Sequence, residues 1–255
     1  MSHIIDTHNL RSQITEEEWK LRLDLAATYR LIALYGWDDL IFTHVSLRIP
    51  GPEHHFLINP YGLMFDEITA SSLVKIDLNG DAVIETPYEV NPAGFTIHSA
   101  IHSARDDAQC VLHLHTNDGI AVSIQKDGLL PISQNSMLVN PHIAYHDYEG
   151  LALDHSERER LIADIGDKNL LILRNHGTLS VGQTCGIAFM GIYSLERACT
   201  AQVRAQAAGN INFPSKEAIK TTQEQSTRMF DLGRDRLAWP ALLRKLDRES
   251  PDYKN

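Results

Sequence analysis

The stretch Cys110-Val111-Leu112-His113-Leu114-His115-Thr116 decides how this chain is read. It is apolar enough to be an interior strand, and residues two apart on a strand share a face, so His113 and His115 point the same way at its end. Buried imidazoles are costly without partners, and two such rings supply two cis ligands at the angle a tetrahedral or octahedral ion needs. Polar alternation alone also produces His-X-His pairs, so the motif needs support. Leu170-Leu171-Ile172-Leu173-Arg174-Asn175-His176-Gly177 provides it: a second apolar strand delivers one histidine at its end, and the following glycine lets the chain turn sharply or approach an ion closely. His113, His115 and His176 are thus expected to bind one divalent metal and to leave a coordination position open, as catalytic sites do. The competing reading is a set of satisfied core histidines.

Outward from that strand, Thr15 with Glu18 reads as a capping box opening a helix whose face repeats Leu21, Leu25, Tyr29 and Ile32 until Gly36. Residues 1–14 read as a flexible leader, and residues 15–255 as one domain with a helical C-terminal tail. Strands are expected at 40–49 and 55–59 around the turn at Pro50-Gly51-Pro52, and at 73–78, closed by the Asn79-Gly80 hairpin signal. Asn91-Pro92 opens a helix to about residue 105. The strand at 110–115, a short helix, a strand at 129–133, a charged helix at 156–165, a strand at 170–174, a turn at Gly177 and a strand around 179–181 follow. A long helix spans about 184–208, and the chain from Ser215 is helical in composition, interrupted at Pro240, with a polar tail. Interleaved helices and strands with tight hairpins predict an α/β fold with a mixed sheet flanked by helices.

The 255 residues, 43% of them hydrophobic, suffice for a substantial core. Asp plus Glu is 33 against 23 Lys plus Arg, and the net charge of −10 repels phosphate backbones and anionic membranes. Neither nucleic acid nor membrane is expected as a partner. The N-terminus MSHIIDTHNLRSQ lacks the pattern of a signal peptide, and no apolar stretch approaches a membrane span. Cys110, Cys185 and Cys199, scattered without a CxxC pair, fit a reducing, cytoplasmic compartment.

The segments Asn91-Pro-Ala-Gly-Phe-Thr-Ile-His-Ser-Ala-Ile-His, Cys110-Val-Leu-His-Leu-His-Thr, Ala144-Tyr-His-Asp-Tyr-Glu-Gly and Leu171-Ile-Leu-Arg-Asn-His-Gly together resemble the class II aldolase/adducin family. Phe56-Leu-Ile-Asn-Pro-Tyr-Gly-Leu and Thr69-Ala-Ser-Ser-Leu-Val-Lys are similar to its adducin-like branch. The resemblance covers about residues 17–209. It implies a three-layer α/β/α fold around a largely antiparallel sheet, Zn2+ or a similar ion (Fe2+, Mn2+ or Co2+) on the three histidines, and a homotetramer with sites between subunits. Four departures accompany it. The family's acid/base glutamate corresponds to Gly94; its phosphate-gripping positions correspond to His44, Tyr61-Gly62 and Pro92-Ala93, of which Gly62 alone is retained; its tyrosine proton donor corresponds to Asn135.

Those departures point away from sugar-phosphate cleavage. A three-histidine ion with no glutamate nearby keeps its full charge and favours a chelating 2-oxo or 2-hydroxy acid. The expected function is a metal-dependent lyase, aldolase- or decarboxylase-type, that stabilises an enolate from a small oxygenated or sugar-derived acid. Glu89, Tyr145, His146 and Glu149 are candidate proton-transfer groups, and Gly62 and Asn175 candidate substrate contacts, with Arg174 placed to orient a carboxylate. His98 and His102, four apart on one helix face, support the ligands or merely fill the core. Two other functions compete: a non-catalytic adducin-head-like assembly module, and an Fe(II)-dependent oxygenase.

Overall fold

The computed structural model describes residues 7–150, 157–231 and 235–255. Its strands are β1 (His44–Arg48), β2 (Phe56–Ile58), β3 (Val74–Ile76), β4 (Cys110–Leu114), β5 (Ile143–His146), β6 (Leu170–Leu173) and β7 (Gly177–Gly182). They form one seven-stranded sheet in the order β3-β2-β1-β4-β7-β6-β5. Every neighbouring pair is antiparallel except β5 with β6, which is the mixed, largely antiparallel sheet expected. The helices are α1 (Thr7–Gln13), α2 (Glu16–Leu34), α3 (Pro92–Ala104), α4 (Asn117–Ser123), α5 (Gln134–Val139), α6 (Glu157–Ile165), α7 (Cys185–Ala208), α8 (Lys216–Asp231) and α9 (Asp235–Glu249).

Strand alternation sorts the core into two layers. Cys110, Leu112 and Leu114 of β4 join Val45, Leu47, Leu170 and Ile172 against residues of α2 and α7. Val111, from the opposite face of β4, joins Leu171, Leu173, Leu179 and Val181 against α3 and α6. Each large aliphatic side chain so enclosed contributes about 1.5–3 kcal/mol. The same parity puts His113 with Val111 on the α3/α6 side, and Thr178 and Ser180 of β7 on the α7 side.

α2 starts where Thr15 accepts the Glu18 N–H at 3.1 Å. Only half of the expected capping box forms, because the Glu18 carboxylate is engaged by Arg22 at 3.0 Å and Lys75 at 2.8 Å. Arg22 also donates to the carbonyls of Ala70 and Leu73, tying α2 to the chain that enters β3.

Several boundaries differ from the sequence reading for local reasons. β1 begins at His44, not at residue 40, because Leu40 and Thr43 take φ of 52° and 63°, outside any extended strand. No strand forms over 129–133: the Leu129 N–H donates to the Tyr145 hydroxyl and the Leu130 N–H to Gln202, so side chains replace a neighbouring strand. The turn after β6 is made by residues 174–176, with Asn175 at φ 57°, while Gly177 is the first residue of β7. Part of the presumed loose leader is helix α1. Pro240 lies inside α9 without ending it. The polar tail docks: the Ala70 and Ser71 N–H groups donate to the carbonyls of Tyr253 and Asn255, each at 2.9 Å. Ser156, expected to open the charged helix, lies outside the described residues.

The buried Glu18–Arg22–Lys75 group generates a stability prediction. Glu18→Ala should leave the Arg22 guanidinium, 1% exposed, without its carboxylate, costing about 3 kcal/mol. Urea unfolding should show that loss, and an unchanged midpoint would mean that the backbone carbonyls alone satisfy Arg22.

Candidate metal centre

The sheet brings the ends of β4 and β6 together through β7. Leu114 stands opposite Thr178 in the β4–β7 ladder. A Cβ on Gly177 would lie 2.4 Å from the Leu114 carbonyl oxygen, so glycine is required for this approach rather than for a turn. His113, His115 and His176 consequently converge, with ligand atoms all within 4.8 Å of one another.

Their tautomers follow from their partners. His113 Nδ1 donates to the Thr178 carbonyl at 3.0 Å, and His115 Nδ1 to the Asp39 carboxylate at 3.0 Å. In neutral rings both Nε2 atoms are then bare lone pairs. Yet His113 Nε2 lies 3.0 Å, and His176 Nε2 2.9 Å, from His115 Nε2. Lone pairs facing at that range repel unless a cation lies between them. Cis nitrogens about 2.1 Å from an octahedral ion would be separated by about 3.0 Å. Two of the three separations, His115 with each of its neighbours, therefore suit a first-row divalent ion, which all three rings would hold after a small adjustment of the third pair. Burial, then the neighbouring rings, holds His113 well below the usual histidine range, and burial with His115 lowers His176 to about 4, so both are neutral at pH 7, the form in which imidazole can bind a metal.

Behind the triad runs a buried imidazole chain. His102 Nδ1 donates to the Ala108 carbonyl at 2.7 Å; its Nε2 accepts from Ser46 Oγ at 2.6 Å; Ser46 Oγ in turn accepts from His98 Nδ1 at 2.6 Å. The chain ends on His98 Nε2, a buried acceptor with no hydrogen-bond donor among the described residues. The His44 ring lies between, 4.1 Å from the His98 ring and 5.7 Å from that of His113. On the other face, Glu196 of α7 accepts from Thr116 and Thr178, and burial raises it to about 7.

The remaining candidates fall in different places. Glu89 is exposed, its carbonyl accepting the Tyr61 N–H beyond β2, and Gly62 beside it has φ 102° in open space. Neither contacts the histidines among the described residues. The Tyr145 hydroxyl accepts from Leu129, and the Arg174 guanidinium lies over its ring at 4.3 Å. His146 is buried between Asp164 at 2.7 Å and Glu157 at 3.2 Å. Glu149 pairs with Arg160. Tyr145 and Glu149 are thus engaged in packing and an ion pair, whereas His146 lies near enough to help lower His176 and the Tyr148 ring is 6.4 Å from that of His176. Asn175 lines an open groove with Ser123, Lys126, Asp147, Tyr148 and Arg174. Sequence reasoning missed Asp39, which meets His115, and Glu196, which meets Thr116 and Thr178: each is remote in sequence from its partners, and an isolated acidic residue carries no motif.

The imidazole chain predicts an acid limb in stability. Burial lowers His102 to about 3, below the unfolded value of 6.5, so the unfolded chain binds the extra proton between those values. Stability contributed by neutral His102 is present above pH 6.5 and lost as pH falls toward 3, at up to about 1.4 kcal/mol per pH unit. Urea titrations from pH 7 to pH 4 should therefore be shallower for His102→Gln; parallel curves would contradict a neutral buried His102.

With the geometry in place, comparison with known proteins is specific. The Class II Aldolase and Adducin N-terminal domain family matches residues 23–203. A Caulobacter vibrioides protein provisionally named aldolase class 2 protein is 58% identical over 252 residues, spanning 98% of this chain and 97% of that one. Alpha-adducin of Rattus norvegicus is 49% identical over 191 residues, 74% of this chain but 26% of its own length. The solved L-fuculose 1-phosphate aldolase from Glaciozyma antarctica superimposes with a TM-score of 0.79 at 30% identity, covering 94% of this chain and 93% of that one. The chain belongs to the class II aldolase and adducin N-terminal domain family.

Proposed function

We propose that the chain is a metal-dependent carbon–carbon lyase, of aldolase or decarboxylase type, acting on a small oxygenated or sugar-derived acid. The observation that carries this reading is the all-imidazole donor set of His113, His115 and His176. Among the described residues no carboxylate joins the set, so a bound dication keeps its charge and favours an anionic chelating ligand. When bound, Zn2+, or else Fe2+, Mn2+ or Co2+, supplies a Lewis acid for the negative charge that develops as a carbon–carbon bond breaks. The chain's own residues do the rest. Asp39 holds the His115 ring, Arg174 and Lys126 border the groove beside His176 where a carboxylate would lie, and Tyr148 is placed to exchange a proton with a ligand there.

The same reading includes a cytoplasmic homotetramer with sites between subunits. Exposed apolar residues support such an interface: Phe42 is 44% exposed and bridges to Asp39, and Tyr148 is 53% exposed. Among the described residues no helix is long and apolar enough to cross a membrane. A second reading, a non-catalytic adducin-head-like module, is favoured by the 49% identity to alpha-adducin and by Gly94 at the family's glutamate position.

Protein purified without chelators should carry one divalent ion per chain, lost in folded His113→Ala, His115→Ala and His176→Ala. Calorimetry separates the two readings. The lyase should bind oxalate and 2-oxo acids, and should bind dihydroxyacetone phosphate poorly, because few of the family's phosphate-gripping residues are retained. Gly94→Glu, which sets an anion in the first turn of α3, should weaken oxalate binding tenfold or more, about 1.4 kcal/mol. Absence of any small-acid binding to metal-loaded wild type would favour the assembly module.

A further inference from the structure

Glu196 is 2% exposed, in the middle of α7, on the face of the sheet opposite the three histidines. Thr116 donates to its Oε2 at 2.5 Å and Thr178 to its Oε1 at 3.0 Å. Both threonines belong to the ligand-bearing segments. Thr116 directly follows His115, and its hydroxyl also accepts the Gly119 N–H at 3.1 Å as the N-cap of α4. Thr178 lies two residues after His176, and its carbonyl accepts from His113 Nδ1. One carboxylate thus joins the β4 end that carries His113 and His115 to the β6–β7 turn that carries His176.

The fit around it is close. A Cβ on Gly119 would lie 2.5 Å from Thr116 Oγ1 and 2.9 Å from Glu196 Oε1, so a side chain there would displace the hydroxyl or the carboxylate. Burying a carboxylate is expensive, and the α7–β7 contact could be held by neutral groups, as it is where Ser180 Oγ donates to the Ala188 carbonyl at 2.9 Å. What the ionised carboxylate adds, above its raised pKa of about 7, is an acceptor-only group that makes both hydroxyls donate toward it, which fixes both threonine rotamers. Strand alternation turns that constraint into the placement of the histidines on the other face.

We propose that Glu196 is a positioning residue of the histidine centre: through Thr116 and Thr178 it sets the spacing of His113, His115 and His176, and with it the affinity and geometry of the bound divalent ion. This rests on the metal reading above. Residues that support metal ligands from outside the first shell change affinity by about 10–100-fold when replaced.

Cobalt(II) is the test probe, read by its visible absorption and by competition with a chromogenic chelator at pH 8, alongside urea unfolding. Glu196→Gln keeps the volume but offers one threonine an amide N–H where it had an acceptor. It should remain folded, lose about tenfold or more in cobalt affinity and show an altered visible spectrum. Thr178→Val should shift the spectrum the same way, and the double variant should lose less than the two single losses multiplied. Ser180→Ala, which removes a neighbouring β7–α7 hydrogen bond, should lower stability while leaving affinity and spectrum at wild-type values. A folded Glu196→Gln with wild-type affinity and spectrum overturns the proposal, as does a Ser180→Ala variant equally impaired in cobalt binding. Wild type that takes up no cobalt overturns the metal reading as well, a result distinct from either.

Discussion

The close approach of β7 to the end of β4 is the constraint on which the rest depends. Gly177 has no room for a side chain against the Leu114 carbonyl, and Leu114 and Thr178 are partners in the ladder. If the strands separated here, His176 would leave the two histidines of β4. Because the strands are pleated, the contact also sorts chemistry by face: imidazoles toward α3 and α6, threonine hydroxyls toward Glu196 on α7. A centre assembled this way draws its rigidity from the sheet rather than from its loops.

That arrangement loads the interior with polar groups whose burial must be offset. The Nδ1 atoms of His113 and His115 have partners, which leaves their Nε2 atoms facing each other as lone pairs at 3.0 Å, with His176 Nε2 2.9 Å from that of His115. Burial, together with mutual repulsion of the protonated forms, keeps His113 and His176 neutral. Protonation would relieve the lone-pair contact between His113 and His115, yet desolvation opposes it, and a shared cation would relieve it instead. The centre is therefore poised for a metal by the same burial that denies it protons.

Much of this was legible in the sequence because it is written in period-two patterns. Residues 110–115 and 170–173 announce buried strands, and the histidines at their ends are the ones the fold brings together. Alternation also predicted that His113 and His115 share a face. Other features are set by tertiary contacts and leave no local trace. Leu129 and Leu130 look like a strand, but their N–H groups are taken by Tyr145 and Gln202, which come from distant segments. The segment 144–149 offered several titratable groups, yet only the fold shows that β5 buries His146 between Asp164 and Glu157 and leaves Tyr148 near the centre. Asp39 lies in an isolated bridge with Phe42, and nothing in its neighbourhood foretells that it meets His115.

The two ends of the centre differ in what they can recognise. On the inner side the imidazole chain anchored at the Ala108 carbonyl runs through His102 and Ser46 and ends in a lone pair on His98 Nε2. His98 lies one helical turn along α3 from Gly94. On the outer side the groove next to His176 is bordered by Arg174 and Lys126, with Asp147 opposing part of their charge. Acceptors repel phosphate or carboxylate oxygens and welcome a hydroxyl, whereas the cationic border does the reverse. On the function proposed above, the acid group of a small ligand would face the cationic border of the groove rather than the buried imidazoles.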